Sequence, residues 1–214
     1  MTLEMKNGCL SVGESRFFSG LNFRVSQGET VCVQGASPLA CTHLLRCLLG
    51  FEPLSEGFIS IDGSVLSPAS AATFRRLMAY VPRELLLPYP SMAQAARAPF
   101  RLKANARQAF STEALLKEWQ LLGLPSSLLD KQPAQLTDSQ RLRAALASAS
   151  LLGKAILLVD APPTRPDSAA AQFIDNYLHQ LASRGTAVVA VSADDVFAAS
   201  CNRIVTITEN PNQP

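Results

Sequence analysis

The chain alternates short, uninterrupted apolar runs with longer stretches in which apolar residues recur at helical spacing. Val31–Val33, Ala79–Val81, Ala155–Asp160 and Ala187–Val191 have almost no polar interruption, the texture of strands in a parallel sheet covered on both faces. Leu44, Leu45, Leu48 and Leu49 predict one face of a helix directly after the first of these runs. Ala71–Met78 predicts a short helix. Phe173, Ile174, Tyr177, Leu178 and Leu181 predict another over Ser168–Arg184, stopped by Gly185. Towards the N-terminus, residues 9–25 alternate as two short strands with a turn at Gly13–Ser15, and a Gln27–Gly28 turn leads into the next strand. Pro53–Gly57 reads as a turn, Phe58–Gly63 as a half-buried strand, and Arg203–Thr208 as an edge strand.

From about Pro88 to Ser150 the texture changes to Ala, Gln, Arg and Leu without any strand-like run, which predicts a helical lobe. Ser111 is positioned to cap a helix that carries Glu113 near its positive end and stops at Gly123. A second helix is expected over Gln140–Leu152. The order of elements, with Gly35 and Thr42 at the phosphate-loop spacing G-x-x-x-x-G-K-[ST] between the first apolar run and its helix, predicts an α/β fold: a P-loop NTPase-type parallel core sheet with an N-terminal antiparallel β part and an inserted α-helical lobe. One domain, 1–214, is expected, with a core lobe of residues 1–87 and 151–214 and a helical lobe of about 88–150.

Composition narrows the class. The 214 residues are enough for a substantial core, 48% are hydrophobic, and the net charge is only +2. No run of Lys and Arg could neutralise a row of phosphates, so no nucleic-acid partner is expected. No apolar stretch reaches the roughly 18 residues of a membrane span, and the first residues lack signal-peptide order. A soluble, intracellular protein is expected. Its five cysteines (Cys9, Cys32, Cys41, Cys47, Cys201) form no C-x-x-C pair, which fits a reducing compartment and no dedicated metal site.

The candidate chemistry lies between the first apolar run and its helix. Gly35 and Thr42 stand at the spacing of the phosphate loop G-x-x-x-x-G-K-[ST], but Ala40 and Cys41 occupy the places of the second glycine and the lysine. Gly28–Gly63, including the Ile59–Gly63 strand I-x-I-D-G, Ala79–Met92, Gln135–Leu151, Ile156–Asp167 and Ala187–Asp195 follow in the order of landmarks seen in one family. The chain resembles, from about Leu10 to Thr208, the ATP-binding cassette of ABC transporters.

That resemblance implies a role for each matching position. Gly35, Ala36, Ser37, Pro38, Leu39, Ala40, Cys41 and Thr42 take the place of the P-loop, and Asp160 that of the Walker B carboxylate. Arg83 stands at the Q-loop glutamine, and Leu136, Thr137, Asp138, Ser139 and Gln140 stand at the signature. Asp167 matches the D-loop. Ala161 and Ala193 occupy the places of the catalytic glutamate and the switch histidine, so no intact catalytic set is expected. Pro38 lacks an N–H, and Ala40 resists a positive φ at a cost of roughly 1–2 kcal/mol if forced into it. No ring lies between Leu10 and Ser15 to stack on adenine. Cys41 is expected as a packed thiol rather than a reactive one and His43 as exposed or capping; replacement of the lysine's charge by Arg83 is the disfavoured alternative.

The resemblance therefore implies a subunit of an ABC transporter with degenerate chemistry: a docking and dimerisation partner that has lost useful hydrolysis. An active ATP-hydrolysing subunit and a soluble regulatory or scaffold protein on the same fold remain the alternatives. Cofactors are expected to be none, or weakly held ATP with magnesium, Thr42 and Asp160 being metal ligands only if nucleotide binds. The implied partners are a second cassette, in a homo- or heterodimer, and an integral membrane subunit, with the chain cytoplasmic and peripheral on the inner face of the membrane. Asp138 would face the partner's γ-phosphate with like charge, so either both sites of such a pair are weak or the pair forms without a closed ATP sandwich. Gly35–Thr42 is expected to be a structural strand-to-helix turn.

Overall fold

Alternation along each central strand sorts side chains onto two faces, and the two faces carry two cores. A computed structural model describes residues 1–35, 37–85, 87–160 and 168–207. Five parallel strands form the central sheet in the order β6(Met78–Val81), β7(Ile156–Asp160), β8(Ala187–Val191), β3(Thr30–Gly35), β9(Arg203–Ile207). A second, antiparallel sheet has the order β2(Ser15–Ser26), β1(Thr2–Val12), β4(Glu56–Ile61), β5(Ser64–Val65). Every residue of β7 and β8 is buried, as their unbroken apolar runs require.

On one face, Val31, Val33, Ile156, Leu158, Val189 and Val191 pack with Leu44, Leu45 and Leu48 of α1(Pro38–Leu48) and with the antiparallel sheet. On the other, Cys32, Leu157, Val159, Val188 and Ala190 pack with Ile174, Tyr177 and Leu178 of α6(Ser168–Ser183). The strand-free segment between β6 and β7 joins this second core directly. Met92 of α3(Met92–Arg97), Leu115 and Trp119 of α4(Thr112–Leu121), and Leu146 and Ala147 of α5(Asp138–Ser150) belong to the same cluster as Leu157 and Val159.

Polar contacts tie that segment together and to the sheet's helices. The Arg143 guanidinium, 7% exposed, donates to the carbonyls of Leu122 (2.8 Å) and Gly123 (3.3 Å), satisfying the C-terminal end of α4. The Tyr177 hydroxyl donates to Glu118 Oε2 at 2.7 Å and lies 2.6 Å from Ser150 Oγ, bridging α4, α5 and α6.

Several elements depart from the sequence expectation. The helix expected at Gln140 starts at Asp138, because Thr137 and Gln140 form a reciprocal capping box. β1 begins at Thr2, eight residues before the apolar Leu10, because it pairs on both sides with β2 and β4. The two-residue β5 and α7(Asp195–Ser200) were not expected; α7 is announced only by Asp194, whose side chain accepts from the Val196 N–H. The final residue of the expected edge strand, Thr208, lies outside the described residues.

The join between the two strands β1 and β4 depends on Gly57. Its φ is +81°, and a Cβ there would lie 2.2 Å from the Asn7 carbonyl oxygen. Gly57→Ala is expected to destabilise the fold by about 2–4 kcal/mol, read as a lower urea midpoint at unchanged slope.

Candidate functional site

The turn after β3 is built by a cap. Ser37 sits in extended conformation and its Oγ accepts from the Ala40 N–H at 3.3 Å, while its carbonyl accepts from the Cys41 N–H at 3.3 Å. Pro38 follows as the first helical residue, where its fixed φ suits the helix and its missing N–H costs nothing. α1 therefore starts three residues before the cysteine, inside what the sequence pattern marks as loop. Of the N–H groups of residues 38–41, only that of Leu39 has no partner among the described residues. Ala40 lies inside the helix and outside the positive-φ residues, so the strain considered for it does not arise.

The side chains at this turn divide by face. Cys41 is 2% exposed and points inward: a Cβ added to Gly35 would meet its Sγ at 3.1 Å and Ile207 Cβ at 3.2 Å. Gly35 is thus small because β9 and Cys41 close on it. Thr42 points the other way and donates from Oγ1 to Asp160 Oδ2 at 2.8 Å. Asp160 ends β7 with 1% of its surface exposed, and Tyr80 from β6 also donates to Oδ2, at 3.3 Å. Oδ1 has no hydrogen-bond partner among the described residues, and Arg83 Nε stands 3.7 Å from it.

These groups line an open cleft of about 380 Å³ with Pro38, Leu39, Pro82 and Glu84. Arg83 is the one cation among its described lining residues, and Cys41 is not part of the lining. Leu39 contributes a 56% exposed apolar side chain at the helix start. Burial pushes the Cys41 thiol up to about 11, with the Asp160 charge adding to the effect and the Arg83 charge opposing it. Burial, then Asp160, pushes the Tyr80 phenol up to about 12. A thiol so placed is a packed, protonated group and not a nucleophile at neutral pH.

Thr42, Asp160 and Arg83, far apart in the chain, are thus brought together, whereas Leu136–Gln140 and Ala193 are not among the lining residues. Thr137 and Gln140 are engaged in the α5 cap, Leu136 is buried, and Ser139 Oγ is buried without a partner among the described residues. Asp138 is exposed and pairs with Arg141 one turn along the helix. Ala193 is exposed just before α7. Ala36, Ala161 and Asp167 lie outside the described residues. Sequence reasoning missed Tyr80, whose signal was a polar-tipped ring within the buried run Ala79–Val81. It also placed His43 wrongly: the half-buried ring packs 4.2 Å from Phe17 and binds Glu52 through Nδ1, and Arg46 Nε holds the other Glu52 oxygen at 2.6 Å. Among the described residues there is no cluster of three or more His, Cys, Asp or Glu able to hold a metal, and no helix long and apolar enough to cross a membrane.

A parallel sheet with an antiparallel flank, a capped strand-to-helix turn and a carboxylate at the end of the neighbouring strand together define an ATP-binding-cassette architecture. The ABC transporter family model matches residues 18–164, and the chain belongs to that family. The fold is shared with the ATP-binding cassette MJ0796, solved as a dimer in a post-hydrolysis state bound to ADP and Pi: TM-score 0.78 at 23% identity, covering 96% of this chain and 94% of that one. Among curated relatives, the bacitracin export ATP-binding protein BceA of Halalkalibacterium halodurans is 29% identical over 92% of this chain and 80% of its own. The molybdenum import ATP-binding protein ModC of Thiobacillus denitrificans is 34% identical over 72% of this chain and 42% of its own. The macrolide export ATP-binding/permease protein MacB of Salmonella typhimurium is 30% identical over 87% of this chain. The chain spans 29% of the length of MacB and 42% of that of ModC.

The Cys41 environment has a stability consequence. A group that holds its proton more tightly folded than unfolded stabilises the fold below its unfolded value and loses that contribution as pH rises to its folded value. For Cys41 that window runs from the ordinary 9.0 to about 11. Stability is expected to fall across it, and Cys41→Ala is expected to fall less steeply over the same window in pH-dependent melts.

Proposed function

We propose that this chain is a catalytically degenerate nucleotide-binding-domain subunit of an ABC transporter, cytoplasmic and peripheral on the membrane, serving as a docking and dimerisation partner without useful ATP hydrolysis. The carrying observation is the state of the strand-to-helix turn. Its helix begins at Pro38, its donors are consumed by the Ser37 cap, and its lysine position is a thiol buried against Gly35. A phosphate held at a helix start needs free, convergent N–H groups and positive charge. Here one N–H of residues 38–41 is left, beside the apolar Leu39. The charge at the site opposes a magnesium–nucleotide as well, since the Arg83 guanidinium stands 3.7 Å from Asp160 Oδ1.

Magnitudes favour a non-enzyme over a weakened one. Losing one preorganised electrostatic contact costs about 3–4 kcal/mol of transition-state stabilisation, and losing a general base about 10²–10⁴ in rate. The lysine, glutamate and histidine positions are Cys41, Ala161 and Ala193. The losses are not additive, but any combination of them removes useful turnover.

Docking has a surface to use. An apolar groove of about 230 Å³ runs between the segment after β6 and the helices, lined by Leu85, Leu87, Met92, Ala96, Pro99 and Ala145 among others. An amphipathic helix of a membrane subunit is the occupant that family membership supports, and a second cassette is the partner that the dimeric MJ0796 relative supports. Pairing of Asp138 with Arg141 lowers the like-charge penalty that a bare carboxylate would present to a partner's nucleotide.

Ligand binding to the folded state must raise its melting temperature. With Mg–ATP at about 5 mM, the purified chain is expected to show no upward shift and no phosphate release. Cys41→Lys alone is expected to leave turnover absent. A saturable shift of several degrees together with phosphate release that Asp160→Asn abolishes would overturn the reading.

A further inference from the structure

We propose that the Arg83 guanidinium is the resident cation of the cleft, standing where a divalent ion would otherwise sit beside Thr42 and Asp160, so that the site excludes such ions and holds its shape without them. This inference rests on the reading above and extends it to the metal.

A carboxylate 99% out of solvent needs compensating charge, since a buried unpaired charge costs several kcal/mol. The Thr42 and Tyr80 hydroxyls supply dipoles to Oδ2 and no charge. The remaining oxygen, Oδ1, has no hydrogen-bond partner among the described residues, and Arg83, the one cation among the described lining residues, stands 3.7 Å from it. Arginine is suited to the part because it stays protonated at any physiological pH. Being covalently attached, it is present at high effective concentration and no chelator removes it.

A divalent ion would have to displace this group. Magnesium takes oxygen ligands at about 2.0–2.1 Å in near-octahedral order. Thr42 Oγ1 and Asp160 would supply two of them, and the ion would then lie within a few ångströms of the guanidinium, repelled by it against the attraction of Asp160 and of Glu84, the other carboxylate among the described lining residues. Arg83 is 42% exposed, so its departure into water is sterically open, and the balance is set by charge. Arg83 also follows β6 and Pro82 directly, at the head of the segment whose Leu85 and Leu87 wall the apolar groove. The pair with Asp160 fastens that wall to β7, so the groove is presented to a partner in the same form with or without metal.

The test is a manganese titration of the full chain followed by electron paramagnetic resonance, on wild type, Arg83→Gln, Arg83→Ala and the double variant Arg83→Gln/Asp160→Asn. Wild type is expected to leave Mn²⁺ free at about 1 mM. Either single variant is expected to gain one bound ion with affinity at least about tenfold higher, and the double variant to lose it again. Hydrogen exchange of residues 79–85 supplies a second readout, independent of any variant's folding: in wild type it is expected to be unchanged by Mg²⁺ or by a chelator. Mn²⁺ bound by wild type as tightly as by Arg83→Gln, or exchange at 79–85 that follows the metal, would overturn the assignment. Phosphate release by wild type would instead remove the degenerate reading on which it rests. An inert chain that still binds Mn²⁺ through Asp160 would remove the cation assignment alone.

Discussion

The buried carboxylate of Asp160 sets the terms for the elements around it. It ends a strand that is covered on both faces and is 1% exposed, so compensating groups must come from the elements around it. α1 brings the Thr42 hydroxyl, β6 the Tyr80 hydroxyl, and the segment after β6 the Arg83 guanidinium. Thr42 and the stretch from Tyr80 to Arg83, far apart in the chain, are thereby brought to one carboxylate. Thr42 and Asp160, which the family resemblance sets at the metal position, are both engaged in these contacts.

The strand-to-helix turn completes the picture with different physics. A phosphate loop keeps its N–H groups unbonded and its lysine extended, both of which leave polar groups waiting for a ligand. Here Ser37 holds the Ala40 and Cys41 N–H groups, the N1 proline has none and the thiol turns inward, which leaves the Leu39 N–H alone without a partner among the described residues 38–41. A turn of this kind is a stable end to a helix in its own right. The packing around it is correspondingly dry: Leu44, Leu45 and Leu48 are wholly buried between the two sheets, and Cys41 and Ile207 close over Gly35.

The strand-free segment follows the same economy. Its helices have no core of their own and are folded into the cluster that covers one face of the parallel sheet, with Arg143 and Tyr177 tying helix ends and helix pairs together. The apolar groove lies where this segment meets β6, next to the Arg83–Asp160 pair. Charge pairing at the cleft and the shape of the groove are therefore parts of one structure.

Much of this was legible in the residues taken one after another. Uninterrupted apolar runs specify doubly covered strands, 3.6-residue recurrence specifies helices, and Ser111, Gly123 and Gly185 mark ends by local chemistry, all of which act over a few residues. The spacing of Gly35 and Thr42 likewise marked a phosphate-loop position, and the family resemblance set Arg83 and Asp160 beside it. Three things needed the folded chain. Where α1 starts depends on whether Ser37 caps or Gly35 leads a loop, and the folded chain has Ser37 as the cap. The face to which Cys41 turns depends on β9, 166 residues on at Ile207, coming close enough to cover Gly35. That Arg83 meets Asp160, rather than water, depends on β6 and β7 lying side by side, because a pairing between distant charges is a property of the sheet order and of no segment alone.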